Sequence, residues 1–187
     1  NYEDNMNFTE AMVKDLLMNV NKSLEVTYDG RKISFDGSWP RMSFRELLLK
    51  DCGIDINIYK TKETLLEQIN SKGIVLEAAA KISDVGYGNL IDLLYKKVSR
   101  PKIIDPVFVT KHPGELSPLA RRNDADASVV DRFQLVVNGW EVVNAYSELI
   151  DPIDQLGRFE EQMKARNAGD METMEVDNDF LMCMEYG

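Results

Sequence analysis

Five polar residues around one hairpin signal have types and spacing suited to holding charged ligands: Gln134, Glu141, Asn144, Tyr146 and Glu148. Asn138-Gly139 separates two β-rich runs, residues 132–137 and 140–149, and this dipeptide favours the positive φ angles of a two-residue type I′ turn. Such a turn pairs Val137 with Trp140, Val136 with Glu141 and Gln134 with Val143. Gln134 and Glu141 then share a face as diagonal neighbours, roughly 7 to 8 Å apart by backbone and closer at their tips, so one hydrated cation can bridge them. Asn144, Tyr146 and Glu148 alternate with period two and fall together on the opposite face of a regular strand. Glu141 and Asn144 can line one pocket only if the strand slips by a residue, so a β-bulge is expected at or near Val142-Val143. Taken singly, these residues have ordinary explanations. Gln134 and Glu141 suit a solvated sheet face, Tyr146 a cross-strand packing position and Glu148 an exposed charge.

The elements that must position them read as an α+β fold, with a partial antiparallel sheet built around this hairpin and helices on one side. Phe8, Met12, Leu16 and Val20 recur every four residues, which suggests the packed face of a helix. Two short runs joined by Asp29-Gly30 form a first hairpin over residues 25–35. Ser43 and Glu46 make a capping box for a helix running to about Lys50. Thr61 caps another, ended by Gly73 in a left-handed conformation. Gly86 and Gly88 precede a helix whose apolar stripe is Leu90, Ile91, Leu94 and Val98, closed at Arg100-Pro101. Residues 43–99 thus form a helical insertion, expected to project from the sheet. Residues 103–110 read as a strand, and Lys111-His112-Pro113-Gly114 as the turn that ends it. His112, the single histidine, is assigned no acid–base role on that basis. Asp151-Pro152 starts a helix ended by Gly169, and residues 171–185 form the last one.

Composition narrows the class. A chain of 187 residues with 44% hydrophobic content can build one continuous core. Its 22 basic and 32 acidic residues give a net charge of −10, which repels a phosphate backbone, so no direct nucleic-acid grip is expected here. Cys52 and Cys183 have no partner at metal-ligand spacing, which argues against a zinc site or disulfide framework and for a reducing cytoplasm. No apolar run approaches the length of a membrane span, and the first nine residues lack the basic and apolar regions of a signal peptide. Asp177-Asn178-Asp179 lacks the glycine and terminal glutamate of a calcium loop and reads as solvated helical charge.

Several spaced blocks occur together: Leu116-Ser117-Pro118-Leu119-Ala120-Arg121-Arg122, Asp131-Arg132-Phe133, Asn138-Gly139-Trp140-Glu141, Asn144-Ala145-Tyr146-Ser147-Glu148-Leu149 and Ala168-Gly169-Asp170. In this order they resemble the catalytic domain of bacterial-type class II lysyl-tRNA synthetases. The resemblance is densest from Leu116 onward, and residues 43–99 resemble that family's insertion more loosely. It makes residues 1–187 an interior piece of the catalytic domain, in which Glu141 binds magnesium at the ATP phosphates and Asn144, Tyr146 and Glu148 contact lysine. In those roles Glu148 pairs with the ammonium, Tyr146 covers the apolar stem with cation–π attraction, and Asn144 binds a polar backbone group. The related aspartate-activating enzymes place an arginine seven residues after the metal glutamate, and here that position is Glu148, the charge expected for a cationic substrate.

Two departures from the family accompany the resemblance. Gln134 stands where most members have a second metal-binding glutamate, and its carbonyl can ligate a hard cation without adding charge. The family's three signature motifs, with the arginines that clamp ATP, do not occur between Asn1 and Gly187, and Arg121-Arg122 are weak candidates for phosphate contact. The resemblance therefore implies a cytoplasmic, homodimeric parent enzyme that uses ATP and Mg2+ to activate lysine as lysyl-adenylate and transfers it to tRNA(Lys). The isolated chain is expected to be inactive. The alternative is a non-catalytic binding module or paralogue that keeps the fold. A third possibility is an enzyme of this fold that charges a protein with a lysine-like amino acid.

Overall fold

The computed structural model describes residues 1–77, 82, 85–167 and 176–186. Its frame is a four-stranded sheet of order β3-β4-β5-β6, formed by β3 (Arg41–Ser43), β4 (Val107–Pro113), β5 (Val129–Val137) and β6 (Trp140–Tyr146). The β4-β5 and β5-β6 pairs are antiparallel, whereas β3 adds to the edge in parallel. A separate hairpin joins β1 (Glu25–Tyr28) to β2 (Arg31–Ser34), its turn residues Asp29 and Gly30 both at positive φ as a type I′ turn requires. The α+β reading holds, with the helices on both faces and not on one.

Helix α1 (Tyr2–Val20) covers one face. Met6 packs there with Phe108, Phe133, Leu135, Val137, Trp39 and the β1-β2 hairpin, while Tyr2, Val13 and Leu17 are partly buried against the same cluster. The expected stripe lies elsewhere: Phe8, Met12, Leu16 and Val20 are 67%, 49%, 58% and 70% exposed. A strict spacing of four drifts around a 3.6-residue helix, and the residues at positions 2, 6, 9, 13 and 17, which mix spacings of three and four, track the buried side.

The other face is covered by α2 (Phe44–Cys52), α3 (Lys62–Ser71) and α4 (Tyr87–Val98). Each begins where the sequence signals it. Ser43 and Glu46 exchange cap hydrogen bonds at α2, Thr61 caps α3 with Gly73 at positive φ just past its end, and Gly86 is the N-cap of α4, with Gly88 inside the helix. Phe44, Leu48, Leu65, Ile69, Leu90, Ile91 and Leu94 share one core with Val109 and Val136 of the sheet. The described residues of 43–99 therefore pack onto the sheet and do not project from it. That is why β5 is apolar at consecutive positions from Leu135 to Val137, with core on both sides.

Strand β4 begins later than residue 103 and continues into the expected turn, as far as Pro113. Lys111 takes a positive φ of 50° in a bulge between Thr110 and His112, and the ladder resumes with His112 opposite Val130 and Pro113 opposite Val129. His112 is therefore a strand residue, 1% exposed, and not a turn residue. Asp151 caps α5 (Pro152–Asn167) through the Ile153 amide. Asp177 caps α6 (Asn178–Tyr186) through the Phe180 amide, which gives that acidic cluster a helix-capping role. The Ala168-Gly169-Asp170 block and the start expected for the last helix lie outside the described residues.

Candidate functional site

The site is built on the β5-β6 hairpin. Asn138 and Gly139 both take positive φ, 49° and 75°, and their amides donate to the carbonyls of Ile104 and Ile103 at 2.9 and 2.8 Å, which fastens the turn to the segment before β4. Val137 pairs with Trp140 and Val136 with Glu141, after which the register shifts: Leu135 pairs with Val143, Gln134 with Asn144 and Arg132 with Tyr146. Gln134 thus stands opposite Asn144 and not Val143. The extra residue falls at Val142, where a bulge was expected, and it turns the strand by one position. Glu141, Asn144 and Tyr146 consequently share the face of Arg132, Gln134 and Val136, while Val143 and Ala145 pack on the α1 side.

Glu148 continues this alternation at an antiparallel bridge to Ala120. The segment 117–122 runs beside it, with the Arg121 amide donating to the Ser147 carbonyl and the Leu149 amide to the Leu119 carbonyl. Helix α5 holds that segment from behind. Arg158, 4% exposed, donates to the carbonyls of Ser117 and Ala120 at 3.1 and 2.6 Å, and Gln155 donates to the Pro118 carbonyl. Asp154 pairs with both Arg158 and Arg122, and these hydrogen bonds and charges hold its carboxyl below the usual range. Arg121 pairs with Asp124 and Asp131. Both weak phosphate candidates are therefore already engaged by carboxylates.

Arg132 is the residue of this face that sequence reasoning did not single out, although it stood within a quoted block. Its guanidinium donates to the Asn144 side-chain oxygen at 2.9 Å, to the Ser117 hydroxyl at 2.7 Å and to the Leu116 carbonyl at 3.0 Å. Burial pulls its pKa down, while the negative charge of Glu141 opposes that shift. With its oxygen occupied by Arg132, Asn144 presents its amide hydrogens as free donors, a suitable partner for a carboxylate. The only positional signal was the shared parity of residues 132 and 134 on β5.

At the other end of this face, Gln134 donates its amide to the Glu141 carboxylate, and its oxygen lies 3.2 Å from Nε2 of His112. Burial first, then the Arg132 charge, lowers the His112 imidazole to about 3, so it is neutral at physiological pH. These residues do not by themselves fit a divalent cation. Glu141 supplies a carboxylate, but Gln134 turns an N–H toward it, Asn144 gives its oxygen to Arg132, and no group of three acidic, histidine or cysteine side chains converges among the described residues. A cleft of about 820 Å³ lies elsewhere, lined by Glu46, Lys60, Tyr87, Lys111, Glu115 and Asp126 among others. None of the five sequence-selected residues borders it. Two of its three acidic groups, Glu46 and Asp126, are engaged by Ser43 and Ser128, and the hairpin face is the candidate site.

The sheet thus presents a bulged hairpin of acidic, amide and aromatic side chains with the half-buried Arg132 beside them. The chain belongs to the class II tRNA synthetases (D, K and N), whose family model matches residues 1–187. It is similar throughout its length to proteins named lysine–tRNA ligase: 38% identical over 186 residues to that of Fervidobacterium nodosum, 36% over 186 to that of Pelotomaculum thermopropionicum, and 38% over 187 to that of Coxiella burnetii. All of this chain is covered in each case. The chain spans only 35%, 36% and 36% of those relatives' own lengths. No helix among the described residues is long and apolar enough to cross a membrane.

Proposed function

We propose that this chain forms part of the amino-acid pocket of a lysine–tRNA ligase, which activates lysine with ATP as lysyl-adenylate and transfers it to tRNA(Lys). The observation that carries this reading is the bulge at Val142, which turns Glu141, Asn144 and Tyr146 onto one face in line with Glu148. On that face Glu148 pairs with the side-chain ammonium, Tyr146 lies along the apolar stem, and Asn144, oriented by Arg132, donates to the lysine carboxylate. Glu141 lies toward the nucleotide. Glu141 would be the residue of this face to meet magnesium held by the ATP phosphates, where the metal would neutralise phosphate charge. The working enzyme is cytoplasmic and homodimeric in this reading. Arg121, Arg122, Arg132 and Arg158 are all held by protein acceptors, so the isolated chain has no arginine here to clamp phosphate and gives no adenylate.

The test is Glu148→Arg in the full-length protein. Arginine would then repel the lysine ammonium at the position where Glu148 attracts it, and lysine-dependent pyrophosphate exchange and calorimetric lysine binding are both expected to disappear. Near wild-type exchange would remove Glu148 from the pocket.

A further inference from the structure

We propose that His112 is a positioning residue that locks the Gln134 amide with its oxygen inward and its N–H toward Glu141, so that Gln134 serves as a neutral hydrogen-bond donor and not as a cation ligand. Three contacts specify the arrangement. The Gln134 amide nitrogen donates to a Glu141 carboxylate oxygen, the Gln134 oxygen lies 3.2 Å from His112 Nε2, and His112 Nδ1 has no hydrogen-bond partner among the described residues.

The donor and acceptor inventory allows one consistent assignment. An ionised Glu141 only accepts, so Gln134 must turn its NH2 that way and leave its oxygen facing the ring. An amide oxygen also only accepts, so Nε2 must carry the imidazole proton. A neutral ring then has a bare Nδ1, which makes no hydrogen bond here although the Arg132 backbone lies close to the ring. The ring itself is fixed by burial and by packing on Phe44, centroids 5.4 Å apart.

Turning the Gln134 oxygen out toward a cation at Glu141 would reverse every member of this chain. The amide NH2 would face Nε2, the imidazole proton would move to Nδ1, and there it would find no completed hydrogen bond in a buried site. The lock therefore opposes cation ligation by Gln134. It also supplies a substitute, since the amide dipole beside Glu141 holds that carboxylate in place without a metal. The functional meaning rests on reading Glu141 as a nucleotide-facing residue of a lysine–tRNA ligase. The hydrogen-bond assignment does not.

The experiment uses full-length protein labelled with 15N-histidine, with His112 assigned by its loss in His112→Phe. At fixed neutral pH its Nε2 is expected to resonate as the protonated nitrogen and Nδ1 as the bare one, unchanged by magnesium chloride with or without ATP. Calorimetry with magnesium alone should show Gln134→Glu binding about tenfold more tightly than wild type, because ligand charge sets affinity for a hard cation. His112→Phe, which frees the Gln134 oxygen, should shift affinity in the same direction by less. A proton on Nδ1 in the wild type, or its transfer there when magnesium is added, would overturn the proposal. So would equal magnesium affinity of wild type and Gln134→Glu. If Gln134→Glu fails to fold, the wild-type tautomer still decides. None of these readouts uses lysine, so failure of the ligase reading in pyrophosphate exchange is separate from failure here.

Discussion

Gln134 and Asn144 lie opposite one another across the β5-β6 ladder because Val142 is an extra residue on the outer strand. Deleting Val142 alone would leave that pairing intact with a regular ladder, whereas deleting Val142 and Val143 together would turn Asn144, Tyr146 and Glu148 toward the α1 side. The single deletion is expected to retain measurable lysine-dependent pyrophosphate exchange in the full-length protein. The double deletion should lose it and cost about 4 kcal/mol or more, since a carboxylate and an amide would be forced toward an apolar core. Equal activity of the two deletions would contradict the shared-face geometry.

Arg132 holds Asn144 through one nitrogen and the Ser117-Leu116 segment through another. Lysine in its place keeps the charge but lacks the fork that reaches both. Arg132→Lys should raise the KM for lysine about tenfold, the loss of roughly one good hydrogen bond to a charged group, with kcat changed less. Steady-state pyrophosphate exchange at varied lysine separates the two constants.

Arg158 connects α5 to the segment that borders Glu148. Arg158→Met would keep most of the apolar stem while leaving the carbonyls of Ser117 and Ala120 and the Asp154 carboxylate without their partner. A loss of about 3 kcal/mol is expected in urea unfolding of the full-length protein. Combining the change with Asp154→Asn should cost less than the sum of the two single changes. Strict additivity would show that the ion pair is not coupled.

The His112 imidazole titrates near 6.5 when unfolded and near 3 in the fold, chiefly because burial disfavours its charged form. Between those values the unfolded chain binds a proton that the folded one refuses, so stability is full above about pH 6.5 and falls as pH drops, by up to about 1.4 kcal/mol per unit. His112→Phe, which retains the packing on Phe44, removes this dependence. The stability of wild type relative to the variant should fall steadily from pH 6.5 to 4 in thermal unfolding. A constant difference across that range would mean that His112 is solvated or already protonated in the fold.

Features governed by neighbouring residues were legible in the sequence. The two Asx-Gly turns, the capping box at Ser43, the cap at Thr61 and the start of α5 at Asp151-Pro152 depend on φ preference and on hydrogen bonds spanning three residues or fewer. The bulge at Val142 was also accessible, because the parity of Glu141 and Asn144 demanded it once both were assigned to one pocket. The α1 face was not, since that helix carries two interleaved apolar sets and only contact with Trp39, Phe108 and Phe133 selects between them.

Tertiary structure alone decided how the site residues are oriented. Lys111-His112-Pro113-Gly114 has turn composition, yet pairing with β5 draws His112 into the sheet, where it meets Gln134, 22 residues away. Arg132 finds Ser117 and Asn144, and Arg158 finds Ser117 across 41 residues. Residue type and spacing establish which groups can donate or accept. Which of them meet is set by burial, because a polar atom removed from water must find a partner wherever the packed chain provides one.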